Sequence, residues 1–191
     1  MEENNSFKIL SLVIANPKLR QIPIKDNGDC LININNANNP RIVSYKNLNK
    51  TPKTKYLDNC KIRKGLYEKI LILLENLPQN IGIAVFEGYR PLWKQKQYFE
   101  IKFKNFVKQY GTNNFEKAYA QTCKFVSPFI DNIPPHCTGG AIDFSLFKFD
   151  KNDKRTLLDL GKTGILHTNN NQAQTLDCNI TTKQKQNRTM L

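Results

Sequence analysis

The sequence predicts a single α+β domain over residues 1–191, with a small antiparallel sheet flanked by helices. Two observations carry this prediction. Apolar residues recur at three- and four-residue steps over 64–77 and 92–110, which is typical of amphipathic helices. Short apolar runs at 81–86 and 141–147 are typical of buried strands. At 191 residues the chain is long enough to bury one hydrophobic core.

The first part of the chain offers weaker signals. A first strand is expected over residues 8–15, which Asn16-Pro17 closes. Residues 26–40 are dense in Asn, Gly and Asp, which indicates turns and loops. Leu31-Ile32 is the one short strand end expected there, and the chain should then stay irregular through residue 63.

Three helices are predicted in the middle of the chain. The first covers 64–77 and should end at Pro78, because proline cannot continue a helix. The second covers 92–110 and should end at Gly111. A third covers 115–125, before Ser-Pro.

The last part of the chain alternates between strands and polar segments. The strand over 141–147 is followed by a charged turn at 150–155 and a short strand over 156–160. After Gly161 the chain becomes polar and rich in Asn and Gln. A short helix is expected to begin near Thr182 and to end almost at once.

Composition limits the classes of partner. The formal net charge of +13 raises nucleic acid, a membrane surface or an acidic polymer as candidates. The basic residues are spread along the chain, however, and no arginine-rich block occurs. We therefore predict that the protein binds neither nucleic acid nor membrane. Its oligomeric state stays open.

The cysteines and the apolar runs of the chain bear on the cellular compartment. The odd number and wide spacing of the five cysteines predict free thiols rather than a disulfide framework. No apolar run reaches the roughly 18 residues that a membrane helix needs. The apolar run near the N-terminus follows Glu2 and Glu3, which makes it a poor signal peptide. A cytoplasmic location is expected, with the periplasm as the alternative.

A first candidate site lies in the stretch Pro134-Pro135-His136-Cys137-Thr138-Gly139-Gly140-Ala141-Ile142-Asp143. An imidazole and a carboxylate are both good Zn²⁺ ligands, and His136 and Asp143 supply one of each. Gly139-Gly140 between them should allow a tight turn and close approach of the backbone. In the expected strand, residues 141, 143, 145 and 147 share one face. The loop histidine and the strand carboxylate could then converge on one ion.

A simpler interpretation remains open for this stretch. His136 could bond a loop carbonyl while Asp143 faces solvent on an edge strand. Cys137 is interpreted as an ordinary small buried residue, because adjacent residues are awkward as ligands of one ion.

A second candidate segment, Glu87-Gly88-Tyr89-Arg90-Pro91, follows the buried strand and precedes a helix that carries Gln95 and Gln97. Together with the histidine stretch it resembles the D-alanyl-D-alanine dipeptidases. These are zinc peptidases allied to the D-Ala-D-Ala carboxypeptidases and peptidoglycan endopeptidases. Members of the family have an acidic-Gly-Tyr-Arg-Pro turn and, later, a His-x6-Asp stretch. The resemblance extends from about residue 41 to the last residue.

The resemblance assigns roles to individual residues. His136 and Asp143 match two of the three zinc ligands, and Arg90 matches the arginine that stabilises negative charge on the scissile carbonyl oxygen. Glu87, where Asp is commoner, and Tyr89 match the substrate-side positions of the turn. Glu87 is expected to orient Arg90 or the metal site. The implied cofactor is Zn²⁺.

The sequence also departs from the family. The third ligand and the general base belong to a Glu-x-Trp-His motif, which these 191 residues do not contain. Trp93 is the only Trp and His167 the only other His. We therefore expect a chain cut short before that motif, with little or no activity. His167 is the alternative source of a third imidazole.

The function implied by the resemblance is hydrolysis of a small D,D-dipeptide or muropeptide in peptidoglycan metabolism. Three alternatives stay open. One is a D,D-carboxypeptidase or peptidoglycan endopeptidase of the same zinc group. Another is a remnant that binds a muropeptide without cleaving it. The third is binding of nucleic acid through a basic surface, which would weaken steeply with added salt.

Overall fold

The computed structural model describes residues 22–48, 60–129, 133–161 and 180–190. The chain divides into two compact units. The helical unit takes in Arg90–Thr138, and the sheet unit takes in Asp29–Tyr89 and Gly139–Leu191. The α+β class is confirmed, and the single-domain organisation stays a prediction. The strand expected at 8–15, the Asn- and Gln-rich segment at 162–179 and His167 lie outside the described residues.

Strands and helices are interspersed along the described chain. In order they are β1 (Leu31–Asn33), β2 (Ile42–Ser44), α1 (Tyr45–Leu48), β3 (Lys61–Arg63), α2 (Lys64–Asn76), β4 (Ile81–Glu87), α3 (Leu92–Tyr110), α4 (Phe115–Cys123), α5 (Pro135–Thr138), β5 (Asp143–Phe149), β6 (Arg155–Leu157) and α6 (Thr182–Arg188). Two 3-10 turns, Ile34–Asn36 and Thr112–Asn114, complete the set.

The sheet unit contains two sheets. The larger has the strand order β2-β4-β5-β6, and the smaller pairs β1 with β3 in antiparallel fashion. In the larger sheet, β4–β5 and β5–β6 are antiparallel, as predicted, whereas β2 runs parallel to β4. Strand β4 is therefore central, and its C-terminal end leads into the Glu87-Gly88-Tyr89 segment.

Both faces of β4 are covered, which explains its unbroken apolar sequence. Ile81, Ile83 and Val85 belong to one core cluster with α2 residues such as Ile70 and Leu74. Ala84 points into a second cluster, which contains Phe147 and Leu48. A strand covered on both faces needs no alternation of polar and apolar residues.

The helical unit is built around aromatic side chains of α3 and α4. Phe99, Cys123 and Val126 form its buried core, and Tyr98, Phe103, Tyr119 and Phe129 pack against them. The Phe99 ring lies 5.5 Å from the Tyr119 ring, which joins the two helices. Helix α3 ends at Gly111, whose φ of 85° lies in the left-handed region that glycine adopts most readily.

Several boundaries differ from the sequence predictions. Strand β5 begins at Asp143 rather than residue 141, and β6 ends at Leu157 rather than residue 160. Residues 145–147 are all buried, so β5 does not show the one-sided alternation expected of it. The segment before residue 63 is not wholly irregular, because β2, α1 and β3 lie in it. Elements of three or four residues are too short to show a repeating pattern of apolar residues in the sequence.

Among the helices that the structure describes, none is long and apolar enough to cross a membrane.

Candidate functional site

The two sequence motifs meet through the backbone of Arg90 in the helical unit. The Arg90 N–H donates to the carbonyl oxygen of His136 at 2.9 Å. This hydrogen bond joins the Gly-Tyr-Arg-Pro turn to the histidine stretch, although the two are far apart in sequence. The side-chain roles that the resemblance implied stay predictions.

The Arg90 guanidinium is held by side chains of α3. Its Nη1 donates to Gln95 Oε1 at 2.7 Å, and its Cζ lies 4.9 Å from the centre of the Tyr98 ring. Gln95 is itself only 1% exposed, and its Nε2 donates to the Ser127 carbonyl at 2.8 Å. A hydrogen bond from a charged donor is stronger than one between neutral groups. The guanidinium thus has a defined direction.

His136 lies in α5, a single turn that begins at Pro135. Two local hydrogen bonds form this turn: Cys137 N–H donates to the Pro134 carbonyl at 2.8 Å, and the Thr138 hydroxyl donates to the Pro135 carbonyl at 2.7 Å. Both His136 and Cys137 are half-buried. Cys137 is a free thiol, as predicted, but it is not the buried residue that we expected.

In the sheet unit, Glu87 of β4 and Asp143 of β5 lie opposite each other on neighbouring strands. They are direct partners in the antiparallel β4–β5 ladder, just beyond an irregularity between Val85 and Glu87. Opposed residues of such a ladder point to the same face, with Cβ atoms about 5 Å apart. A bulge of this kind commonly redirects a side chain at the edge of a site. Two carboxylates are therefore brought side by side at the end of the sheet.

Two like charges in opposed positions destabilise a ladder unless something compensates for them. Glu87 is half-buried and Asp143 is exposed. Both residues also make other interactions in the fold, and the metal-binding role of Asp143 stays a prediction. The sequence pattern alone did not pair these two residues, because strand register is a long-range property.

The residues around these carboxylates are fixed by backbone contacts. The Tyr89 N–H donates to the Lys61 carbonyl at 2.7 Å, which ties the turn to β3. Gly139 has φ +75°, and a Cβ there would come within 2.7 Å of Leu31 Cδ2. Its carbonyl accepts from the Arg63 N–H at 2.9 Å. The close approach predicted for the glycine pair is thus observed at Gly139.

The predicted site residues fall into two sets. Arg90 and His136 belong to the helical unit, and Glu87, Tyr89 and Asp143 belong to the sheet unit. Each set is positioned by contacts within its own unit.

The donor chemistry at His136 and Asp143 suits Zn²⁺, which accepts imidazole nitrogen and carboxylate oxygen. Across the residues that the structure describes, no group of three or more His, Cys, Asp and Glu side chains could hold a metal ion. The metal-binding roles of His136 and Asp143 stay predictions.

Sequence reasoning missed the residues that orient Arg90. Gln95 was noted only as part of the motif, and Tyr98 was not singled out. The available signal was helical spacing, because both residues follow Arg90 within the first two turns of α3. The Lys61 carbonyl that anchors Tyr89 had no sequence signal, since any residue supplies a backbone carbonyl.

Comparisons with models of protein families, with curated proteins and with solved structures gave no match to the chain. The resemblance to the zinc D,D-peptidases therefore rests on the two motifs.

Proposed function

We propose that this chain is a zinc-dependent D,D-peptidase of the D-alanyl-D-alanine dipeptidase kind, acting on a small D,D-dipeptide of peptidoglycan metabolism. The observation that carries the proposal is the 2.9 Å hydrogen bond from the Arg90 N–H to the His136 carbonyl. It joins the two segments on which the family resemblance depends. We expect this activity in the cytoplasm, with the periplasm as the alternative compartment.

His136 and Asp143 are the residues that would hold Zn²⁺. When bound, the ion would act as a Lewis acid toward the scissile carbonyl. Asp143 is the first residue of β5, so its position follows from the register between β5 and β4. Glu87, the ladder partner of Asp143, adds a second carboxylate at the same end of the sheet. There it can orient the zinc ligands or the amino end of a substrate.

Arg90 is assigned to the negative charge that develops on the carbonyl oxygen. A guanidinium held in advance needs little reorganisation during the reaction, and a single donor of this kind is worth roughly 3 kcal/mol. The Gln95 bond and the Tyr98 ring supply that positioning. Tyr89 lies next to Arg90 in sequence and is assigned to substrate binding.

Turnover by this chain alone is expected to be low. The 191 residues contain no Glu-x-Trp-His run, in which the family has its third ligand and its carboxylate base. A general base typically contributes about 10²- to 10⁴-fold to the rate. Binding of the peptide should persist better than cleavage, because Arg90 and Tyr89 do not depend on that base.

The test is an assay of D-Ala release from D-Ala-D-Ala by the purified chain with Zn²⁺, together with calorimetry of dipeptide binding. We expect binding with slow turnover that a chelator abolishes. Arg90→Ala should lower any turnover by about 10²-fold or more. Arg155→Ala is the matched control, because that arginine begins β6 and pairs with Asp153, outside both motifs.

The same measurements separate the alternatives. Release of D-Ala from a pentapeptide without cleavage of the free dipeptide would favour a carboxypeptidase. Binding without any turnover would favour a muropeptide binder. A chain that neither binds nor cleaves D,D-peptides, or whose activity is equal in wild type and Arg90→Ala, would contradict the proposal.

A further inference from the structure

One exposed face of α3 combines lysines with large apolar side chains. Trp93 and Ile101 are 65% and 53% exposed, and Lys96, Lys104 and Lys108 are exposed as well. At 3.6 residues per turn these five side chains fall within about 140° of arc and span about 22 Å of helix. We call them the lysine face of α3. It lies opposite the buried residues, such as Phe99 and Phe106, that pack into the core.

The lysine face belongs to a strongly basic segment. Residues 92–124 contain seven lysines and two glutamates, of which Glu100 lies on the same face. Among the described residues, no ion pair involves Lys96, Lys104 or Lys108. With three lysines against the one carboxylate of Glu100, the face keeps a net positive charge, which is complementary to an anionic partner.

Three aromatic rings beside this face are already covered by lysines, whereas the Trp93 ring on the face itself is open. Lys102 Nζ lies 4.4 Å from the centre of the Phe125 ring and 5.4 Å from that of Phe106. Lys117 Nζ lies 4.6 Å from the centre of the Tyr110 ring. These cation–π contacts hold the ammonium groups over the ring faces. Those faces are accordingly poor platforms for stacking of nucleic-acid bases, which need an open aromatic surface.

We propose that the lysine face of α3 is a peripheral docking surface for an anionic lipid bilayer. Basic side chains attract acidic headgroups, while the Trp93 indole and the aliphatic Ile101 enter the headgroup region. An exposed isoleucine cannot stack on a base, but it gains from contact with lipid. Ile101 therefore favours lipid over nucleic acid as the partner of this face. This inference is independent of the proposed peptidase function, and it departs from the sequence prediction of no membrane partner.

The chain carries its own reporter of this interaction. Trp93 is the only tryptophan, and it lies on the proposed contact face. Fluorescence of the full chain is titrated with vesicles of phosphatidylcholine, with and without phosphatidylglycerol. We expect a blue shift and increased intensity with anionic vesicles alone, and loss of the shift at high salt because screening weakens the attraction.

Matched variants distinguish binding through the lysine face from binding through the overall charge of the protein. Lys104→Gln with Lys108→Gln should lower the partition coefficient about tenfold or more, whereas Lys69→Gln with Lys183→Gln removes equal charge elsewhere and should have little effect. Ile101→Gln should lower it about fivefold. Ile72→Gln is its control, because Ile72 is 58% exposed on α2. Circular dichroism checks that each variant is folded.

Three outcomes would overturn the inference. The first is the absence of any change in Trp93 fluorescence with anionic vesicles. The second is equal partitioning of the α3 variants and their controls. The third is binding of a single-stranded oligonucleotide, with Trp93 quenching, in place of vesicle binding, which would assign the face to nucleic acid.

Discussion

Arg90 and Asp143 are positioned by two different kinds of interaction. Arg90 depends on side chains, since Gln95 accepts its hydrogen bond and the Tyr98 ring lies against its guanidinium. Asp143 depends on strand register, since it is the first residue of β5 and the ladder partner of Glu87. A substitution of Gln95 therefore removes one side-chain contact of the arginine, whereas the backbone position of Asp143 depends on the pairing of β4 with β5.

The largest effect is expected from Phe147→Ala, because Phe147 is fully buried between β4 and β6 on the strand that carries Asp143. Loss of a buried phenylalanine leaves a cavity and should lower the free energy of unfolding by about 3–5 kcal/mol. Urea denaturation followed by circular dichroism measures this. Phe115→Ala, at a side chain that is 53% exposed, is the control and should cost far less. Equal losses would show that the core of the sheet does not hold β5 in place.

A smaller effect is expected from Gln95→Ala in the helical unit. The substitution removes the acceptor of the Arg90 guanidinium and leaves the Ser127 carbonyl without its donor. Breaking such a buried network should cost about 1–3 kcal/mol. Gln97→Ala is a matched control two residues away, because Gln97 is exposed on the same helix.

The coupling between Arg90 and Gln95 can be measured separately. A double-mutant cycle with Arg90→Ala and Gln95→Ala should give a coupling energy of about 1 kcal/mol. Additive losses in the cycle would mean that Gln95 does not position the arginine.

The smallest effect concerns buried hydroxyl groups, which differ between the two units. Ser44 and Ser145 are each 1% exposed in the sheet, and neither hydroxyl has a hydrogen-bond partner within the described chain. Thr122 in α4 is 0% exposed, but its hydroxyl donates to the Ala118 carbonyl at 2.8 Å. Ser145→Ala should therefore be neutral or stabilising by up to about 1 kcal/mol, whereas Thr122→Val should destabilise by about 1 kcal/mol. The opposite order of the two unfolding free energies would indicate that Ser145 has a bonding role.

Much of the local structure was predictable because it is encoded by neighbouring residues. Helix α3 has the predicted bounds, since Pro91 and Gly111 mark its ends and its apolar spacing is regular. The short helix α6 was also predicted. Its capping box, in which Thr181 and Gln184 exchange backbone and side-chain hydrogen bonds, is a sequence-local device.

The long-range features were not predictable from the same patterns. Pairing of β2 with β4, and its parallel direction, depend on residues that are distant in sequence. The opposition of Glu87 and Asp143 depends on a register shift beyond Val85. For the candidate site, the motifs identified Arg90 and His136, whereas the hydrogen bond between their backbones became visible only in the folded chain.

Zinc titration of the purified chain by calorimetry tests most directly whether His136 and Asp143 share an ion. We predict about one zinc per chain, with affinity reduced at least tenfold by either His136→Ala or Asp143→Asn. Glu75→Gln, on the exposed side of α2, should leave the affinity unchanged, and His167→Ala examines the alternative third ligand. No zinc binding by the wild type, or equal affinity in the wild type and both ligand variants, would contradict the assignment.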